Sequence, residues 1–236
     1  MANQNAKFAL MQPYFLPYIG YWQLFKESEI VFLADDSKYT KQSWINRNRL
    51  WINGVIQNVT IPISMASDYL SIGERQISEV YNPEVTFRRI LHDYQKCKQS
   101  NVEALLWEIL NQDTRNLGEY LSTSIRHLLN FLGLNCEVIE ASKMSIPSEL
   151  KAEERIFFLG EKIGINKYVN LTGGQKLYST SQFSSRGCQI EFIVSNLTPY
   201  ETKINRFVPS LSILDLLFQA SDRREVTNQL SDYKIL

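Results

Sequence analysis

The chain has 236 residues, 44% of them hydrophobic and 21% charged, the balance of a globular protein with enough chain to bury a core. Lys and Arg number 25 and so do Asp and Glu, so the basic excess expected of a nucleic-acid or membrane-surface protein is absent. No apolar run reaches the roughly 18 residues of a spanning helix. The opening "MANQNAKFAL" lacks the basic and apolar regions of a signal peptide. Cys97, Cys136 and Cys188 are odd in number and widely separated, with neither a disulfide framework nor metal-ligand spacing. These features lead us to expect a cytoplasmic protein with no membrane span, no nucleic-acid partner and no metal site.

In chain order, "KFALMQ" (7–12) reads as a first strand and "EIVFLADD" (29–36) as a second, both short apolar runs suited to strands covered on two faces. Residues 19–28 between them suit a helix, giving a βαβ unit with a parallel pair and a right-handed crossover. "SWINRNRLWING" followed by "VIQNVTIPIS" predicts a hairpin turning at Asn53-Gly54. From 83 to 133 the apolar spacing is helical, ending where Gly133 suits a C-terminal cap. A strand "CEVIEAS", a helix over 147–163, a strand "KYVN", a Gly-Gly turn, a strand "QIEFIV" and a helix "SLSILDLLFQAS" follow. The expectation is one α/β domain over 1–236 with a mostly parallel, Rossmann-like sheet, residues 83–133 forming a helical insert or a helical layer.

Between the first strand and first helix, "MQPYFLPYIGYW" crowds two prolines, a glycine and five aromatics into twelve residues. The prolines stiffen the loop, and its place at the carboxyl end of a strand is where open α/β sheets bind ligands. Gly20 permits a close approach, and the nearby helix start favours an anion. The alternative is that Tyr14, Phe15, Tyr18, Tyr21 and Trp22 plug the end of the sheet. Asp35-Asp36 ends the second strand at the same edge, placed to bind Mg²⁺, hold a hydroxyl, take a proton from an amine, or simply cap a loop. In "NRNR", strand alternation puts Asn46 with Asn48 on one side and Arg47 with Arg49 on the other, and a guanidinium pair suits a diphosphate unless that face is merely solvated. Gly173-Gly174 offers either an anion-facing turn, with Lys176 close behind, or a structural one. His92 and His127 belong to no recognisable motif.

Taken in order, "MQPYFLPYIGYWQLF", "DD", "SWINRNR", "YVNLTGGQKLY" and "RFVPSLSILDLLF" resemble the WbqC-like protein family over nearly the whole chain, from Phe8 to Phe218. The resemblance implies an enzyme of bacterial O-antigen or lipopolysaccharide assembly, and carries site status to Gln12, Pro13, Tyr18, Gly20, Tyr21, Asp35, Asp36, Asn46, Arg47, Asn48, Arg49, Gly173, Gly174, Lys176 and Tyr178. A weaker likeness is to adenylyl-transferring α/β folds with an H-x-G-H motif, at whose histidine positions Tyr18 and Tyr21 stand; a neutral phenol supplies no cationic ring. The leading expectation is an N-acyltransferase acting on a nucleotide-linked amino sugar, with a coenzyme A thioester as a possible donor. Asp35 or Asp36 would take the ammonium proton, while Asn46 or the Gly173-Gly174 amides would hold the oxyanion. Arg47 or Arg49 with Lys176 would hold the diphosphate, and Tyr14, Tyr18 or Trp22 would stack on a ring. The alternatives are an ATP–Mg²⁺-dependent amide ligase using Asp36, and a non-catalytic sugar-nucleotide binding or assembly protein. Convergence of the Asp pair, the NRNR strand and the Gly-Gly turn on one cleft would favour an enzyme, whereas scatter would undo the carried-over site.

Overall fold

The structure is a computed structural model that describes residues 5–204 and 206–236, apart from the side chain of Lys176. The first apolar run forms β1 (Lys7–Met11), and after helix α1 (Ile19–Glu27) the chain returns in β2 (Ile30–Leu33). The two strands pair in parallel, Phe8 opposite Ile30 and Met11 opposite Leu33. A long excursion follows. It holds the hairpin of β3 (Arg47–Ile52) and β4 (Val55–Thr60), then α2 (Pro83–Tyr94), α3 (Ser100–Leu110) and α4 (Leu117–Leu132). The hairpin turns at Asn53 and Gly54, both with positive φ (52° and 74°), as a two-residue turn matched to strand twist requires. Asn82 and Asn116 cap α2 and α4 through their side chains, and Gly133 closes α4 in the left-handed region.

The chain re-enters the sheet at β5 (Glu137–Glu140), then forms α5 (Glu153–Ile163), β6 (Lys167–Leu171), α6 (Thr180–Ser185) and β7 (Gln189–Ser195). It ends with α7 (Ile213–Gln219), α8 (Arg223–Ser231) and β8 (Tyr233–Ile235), the last antiparallel to β7. The sheet order β5-β2-β1-β6-β7-β8 is a mostly parallel, Rossmann-like arrangement. Three details depart from the sequence reading. Helix α5 begins at Glu153 rather than Pro147, because Ala152 turns left-handed (φ 45°) and Glu153 and Glu154 then meet the positive helix end. Gly173 and Gly174 are absorbed in a 3₁₀ helix over Thr172–Leu177 without positive φ. The helices α6 and α8 and the strand β8 went unread.

Side chains alternate across the sheet. Phe8, Phe32 and Tyr168 join Ile156, Phe157 and Phe183 of α5 and α6 on one face. Ala9, Val31, Leu33 and Val169 face the other way, into a larger core continuous with α1, the hairpin, α2–α4 and α7. The hairpin meets the sheet through the loop after β1: Asn48, buried, donates its Nδ2 to the carbonyls of Phe15 (3.0 Å) and Leu16 (2.8 Å). Leu16 is itself buried and left-handed (φ 47°). At the far edge Glu140 accepts from Ser122 and Arg126 and pairs with Lys143 at 3.0 Å. Burial alone would raise its pKa, but these partners outweigh that and hold it at about 2, below the ordinary 4.5.

Replacing Asn48 by Ala leaves two buried carbonyls unpaired, so unfolding stability should fall by about 1–3 kcal/mol. Amide exchange at Phe15 should quicken; unchanged exchange there would show that the loop is held without Asn48. For Glu140 the folded pKa lies below the unfolded one, so its contribution is complete above pH 4.5 and is lost as the pH falls toward 2. Glu140→Gln should therefore be less stable at pH 6 and lose less stability than the parent between pH 5 and 2 in urea titrations. Equal pH slopes in the two proteins would contradict this.

Candidate functional site

From β1 the chain first builds outward to β2 and β5, then returns to place β6 on the opposite side. The reversal falls between β1 and β6, where sheets of this order open a crevice at their carboxyl ends. The ladder between these strands covers only Lys7–Lys167 and Phe8–Tyr168, so the pairing stops short of the carboxyl edge. A cavity of about 260 Å³ occupies that edge. Tyr14, Pro17 and Tyr18 from the loop after β1 form one wall, and Thr172, Ile193 and Ser195 from the ends of β6 and β7 form another. Trp44, Asn48 and Arg49 from the hairpin arm and the segment before it, with Leu197 and Ser210, complete it.

The walls are fixed by main-chain ties. Phe15 N–H donates to the carbonyl of Ile45 (3.0 Å), Ile213 N–H to that of Pro17 (3.0 Å), and Ser212 N–H to that of Arg49 (3.0 Å). Gly20 is required where it stands, because a Cβ there would lie 2.5 Å from the Tyr18 ring. The alternation expected for NRNR holds: Asn46 and Asn48 are buried, while Arg47 and Arg49 share the side of Trp44, with their Cζ atoms 5.9 and 5.6 Å from its ring centre. Arg49 donates Nη2 to the carbonyl of Ser210 at 3.3 Å. Its buried Nε and the buried Oγ of Ser195 have no hydrogen-bond partner among the described residues. Burial raises the pKa of Tyr14 and, with Tyr14 nearby, of Tyr18, so both phenols stay neutral donors. Among the described residues lining the cavity there is no carboxylate, imidazole or thiol.

The other expected residues are elsewhere or turned inward. Tyr21 donates to the Gln12 carbonyl (2.9 Å) and Trp22 Nε1 to that of Pro17 (3.1 Å), so these rings, both fully buried, brace the loop from behind. Gln12 Oε1 receives the Tyr14 hydroxyl at 3.4 Å. Asp35 accepts from the amide (2.9 Å) and hydroxyl (2.6 Å) of Ser142, and Asp36 accepts from Arg155 at 2.8 and 2.6 Å. Neither carboxylate lines the crevice; they tie the end of β2 to the segment after β5 and to α5. Asn46 accepts from Tyr39 (2.9 Å) and donates to Ile61 (2.7 Å), and it opens with Arg47 onto a different cavity. Gly173 is exposed, Gly174 lies against Asn170, and Tyr178 packs with Tyr168 and Phe183 on the far face. The side chain of Lys176 lies outside the described residues. His92 is exposed beside Asp93, and His127 stands 3.4 Å from Glu108 on the helical layer. Of the Asp pair, NRNR and the Gly-Gly turn, only Asn48 and Arg49 of NRNR line the crevice, beside the aromatic loop and Thr172; Asp35, Asp36, Gly173 and Gly174 do not. Thr172 and Ser195 were missed, although strand ends at the carboxyl edge are where such residues are sought.

Among the described residues, no helix is long and apolar enough to cross a membrane, and no group of three or more His, Cys, Asp or Glu stands close enough to hold a metal ion. The chain is similar to the "Uncharacterized protein Rv1507c" of Mycobacterium tuberculosis, 23% identical over 216 residues that cover 90% of this chain and 93% of that protein. No solved structure gives a significant match. The profile described as "WbqC-like protein family" matches residues 12–226, which takes in both the aromatic loop and the hairpin arm that wall the crevice. The chain belongs to the WbqC-like protein family.

Proposed function

We propose that the crevice binds a nucleotide-linked amino sugar, and that the site serves amide formation on that sugar in bacterial surface-glycan assembly, in the cytoplasm. The observation that carries the reading is the pair of buried, unpartnered donors, Arg49 Nε and Ser195 Oγ, in a cavity edged by Tyr14, Tyr18 and Trp44. An unmet guanidinium Nε–H suits a phosphate oxygen, and aromatic rings suit a base or a sugar face.

For the chemistry, the amine lone pair attacks an acyl thioester carbonyl, the C–N bond forms, the C–S bond breaks, and the proton shed by the nitrogen ends on the departing thiolate to give the amide and a free thiol. The neutral phenols of Tyr14 and Tyr18 supply hydrogen bonds to the tetrahedral oxyanion. Asp35 and Asp36 are engaged by Ser142 and Arg155, so the reading assigns them to holding the end of β2. The free-amine fraction of the sugar is then the nucleophile. A second reading, binding without turnover, is favoured by the lack of a carboxylate or imidazole among the described lining residues.

The test is calorimetric and thermal. A sugar nucleotide at 100 times its Kd should add about 2.7 kcal/mol of stability. Arg49→Gln should weaken that binding by roughly tenfold or more. No stabilisation by any nucleotide-linked amino sugar would overturn the reading. Release of free thiol from a coenzyme A thioester only when the sugar nucleotide is present would establish the transferase, and tight binding with no thiol release would establish the binding protein.

A further inference from the structure

A separate cavity of about 370 Å³ is lined in part by Tyr39, Lys41, Asn46, Arg47 and Arg75. Arg75 is its base and is only 2% exposed. Its position is fixed from both sides of the chain. It follows the one-turn 3₁₀ helix Ile72–Glu74, closed by a Ser71–Glu74 capping box, and its carbonyl accepts from Leu117 N–H at 2.9 Å. The guanidinium lies over the Tyr39 ring, Cζ 4.8 Å from the centre, and donates Nη1 to the carbonyl of Ala66 at 3.3 Å. Nε and Nη2 are buried and have no hydrogen-bond partner among the described residues. Asp68 stands 3.9 Å from Nη2, beyond hydrogen-bond reach, and is engaged by Lys41 at 2.8 Å.

A buried guanidinium with two unmet donors is costly unless something in the cavity meets them. The Nε–Nη2 edge is the edge that grips two oxygens of one anion. Three cations, Lys41, Arg47 and Arg75, stand against one carboxylate, an excess that suits a doubly charged group. We propose that this cavity is a second ligand site that takes a phosphoryl group, with Arg75 as the fork and Lys41 and Arg47 closing over it. The site is independent of the sugar-nucleotide reading, since Arg75 and Lys41 do not line the switch-point crevice.

The test follows the side-chain Nε–H resonances of arginine in the full ¹⁵N/¹³C-labelled chain while inorganic phosphate is added, with chloride at matched ionic strength as control. Arg75 is assigned by through-bond correlation, so no variant of this buried residue is needed. Its signal should move saturably with phosphate and not with chloride. Lys41→Gln, at a side chain 71% exposed and therefore tolerant, should raise the phosphate dissociation constant about fivefold, as should Arg47→Gln. Arg49→Gln should leave it within twofold. An Arg75 signal that stays still through tens of millimolar phosphate, that moves equally with chloride, or whose titration is unchanged in both Lys41→Gln and Arg47→Gln would overturn the proposal.

Discussion

A loop that leaves the end of a buried strand carries carbonyls that the sheet cannot pair, and here one side chain takes two of them. The Asn48 amide holds the oxygens of Phe15 and Leu16, at the point where Leu16 is forced into left-handed backbone. The next carbonyl, Pro17, is shared by Trp22 Nε1 and Ile213 N–H. Two segments distant in sequence, with the start of α1, thus fix one turn of chain. Its rigidity comes from this convergence as much as from the two prolines. The crevice depends on it, because Tyr14 and Tyr18 have a defined edge to present only while the backbone beneath them is pinned.

The same arm decides how charge is distributed. Strand alternation sends Asn46 and Asn48 inward to satisfy backbone and Arg47 and Arg49 outward beside Trp44. The two arginines then part company: Arg49 opens onto the switch-point crevice and Arg47 onto the neighbouring cavity. A short motif with an apparent single purpose therefore supplies both structural anchors and cations to two separate hollows.

Much of the fold was legible because its signals are local. Apolar runs gave β1, β2, β6 and β7, Asn53-Gly54 gave the hairpin turn, and helical spacing with Gly133 gave the middle layer. The short α6, and α8 with its weak apolar face, offered no comparable pattern. The site was less legible because its partners are remote. Asp35 meets Ser142 and Asp36 meets Arg155 across more than a hundred residues, and nothing near either aspartate signals that it is already engaged. A glycine pair permits a left-handed turn without demanding one, and Gly173-Gly174 takes a 3₁₀ helix instead. Arg75, in a stretch reading "GERQ", looks solvated until the segment after β4 folds over it.

One consequence follows from the tyrosines. Burial pushes Tyr14, Tyr18 and Tyr39 upward, and the remaining described polar groups around both cavities are amides, hydroxyls, lysine and arginine. Raised in this way, none of these three phenols gives up its proton between mild acid and mild alkali. At both cavities these tyrosines therefore stay uncharged hydrogen-bond donors over that range and add no pH step of their own to binding. A phosphate monoester, whose second ionisation falls near pH 6, would bring such a step with it, whereas a diphosphate diester has no ionisation in that range to bring.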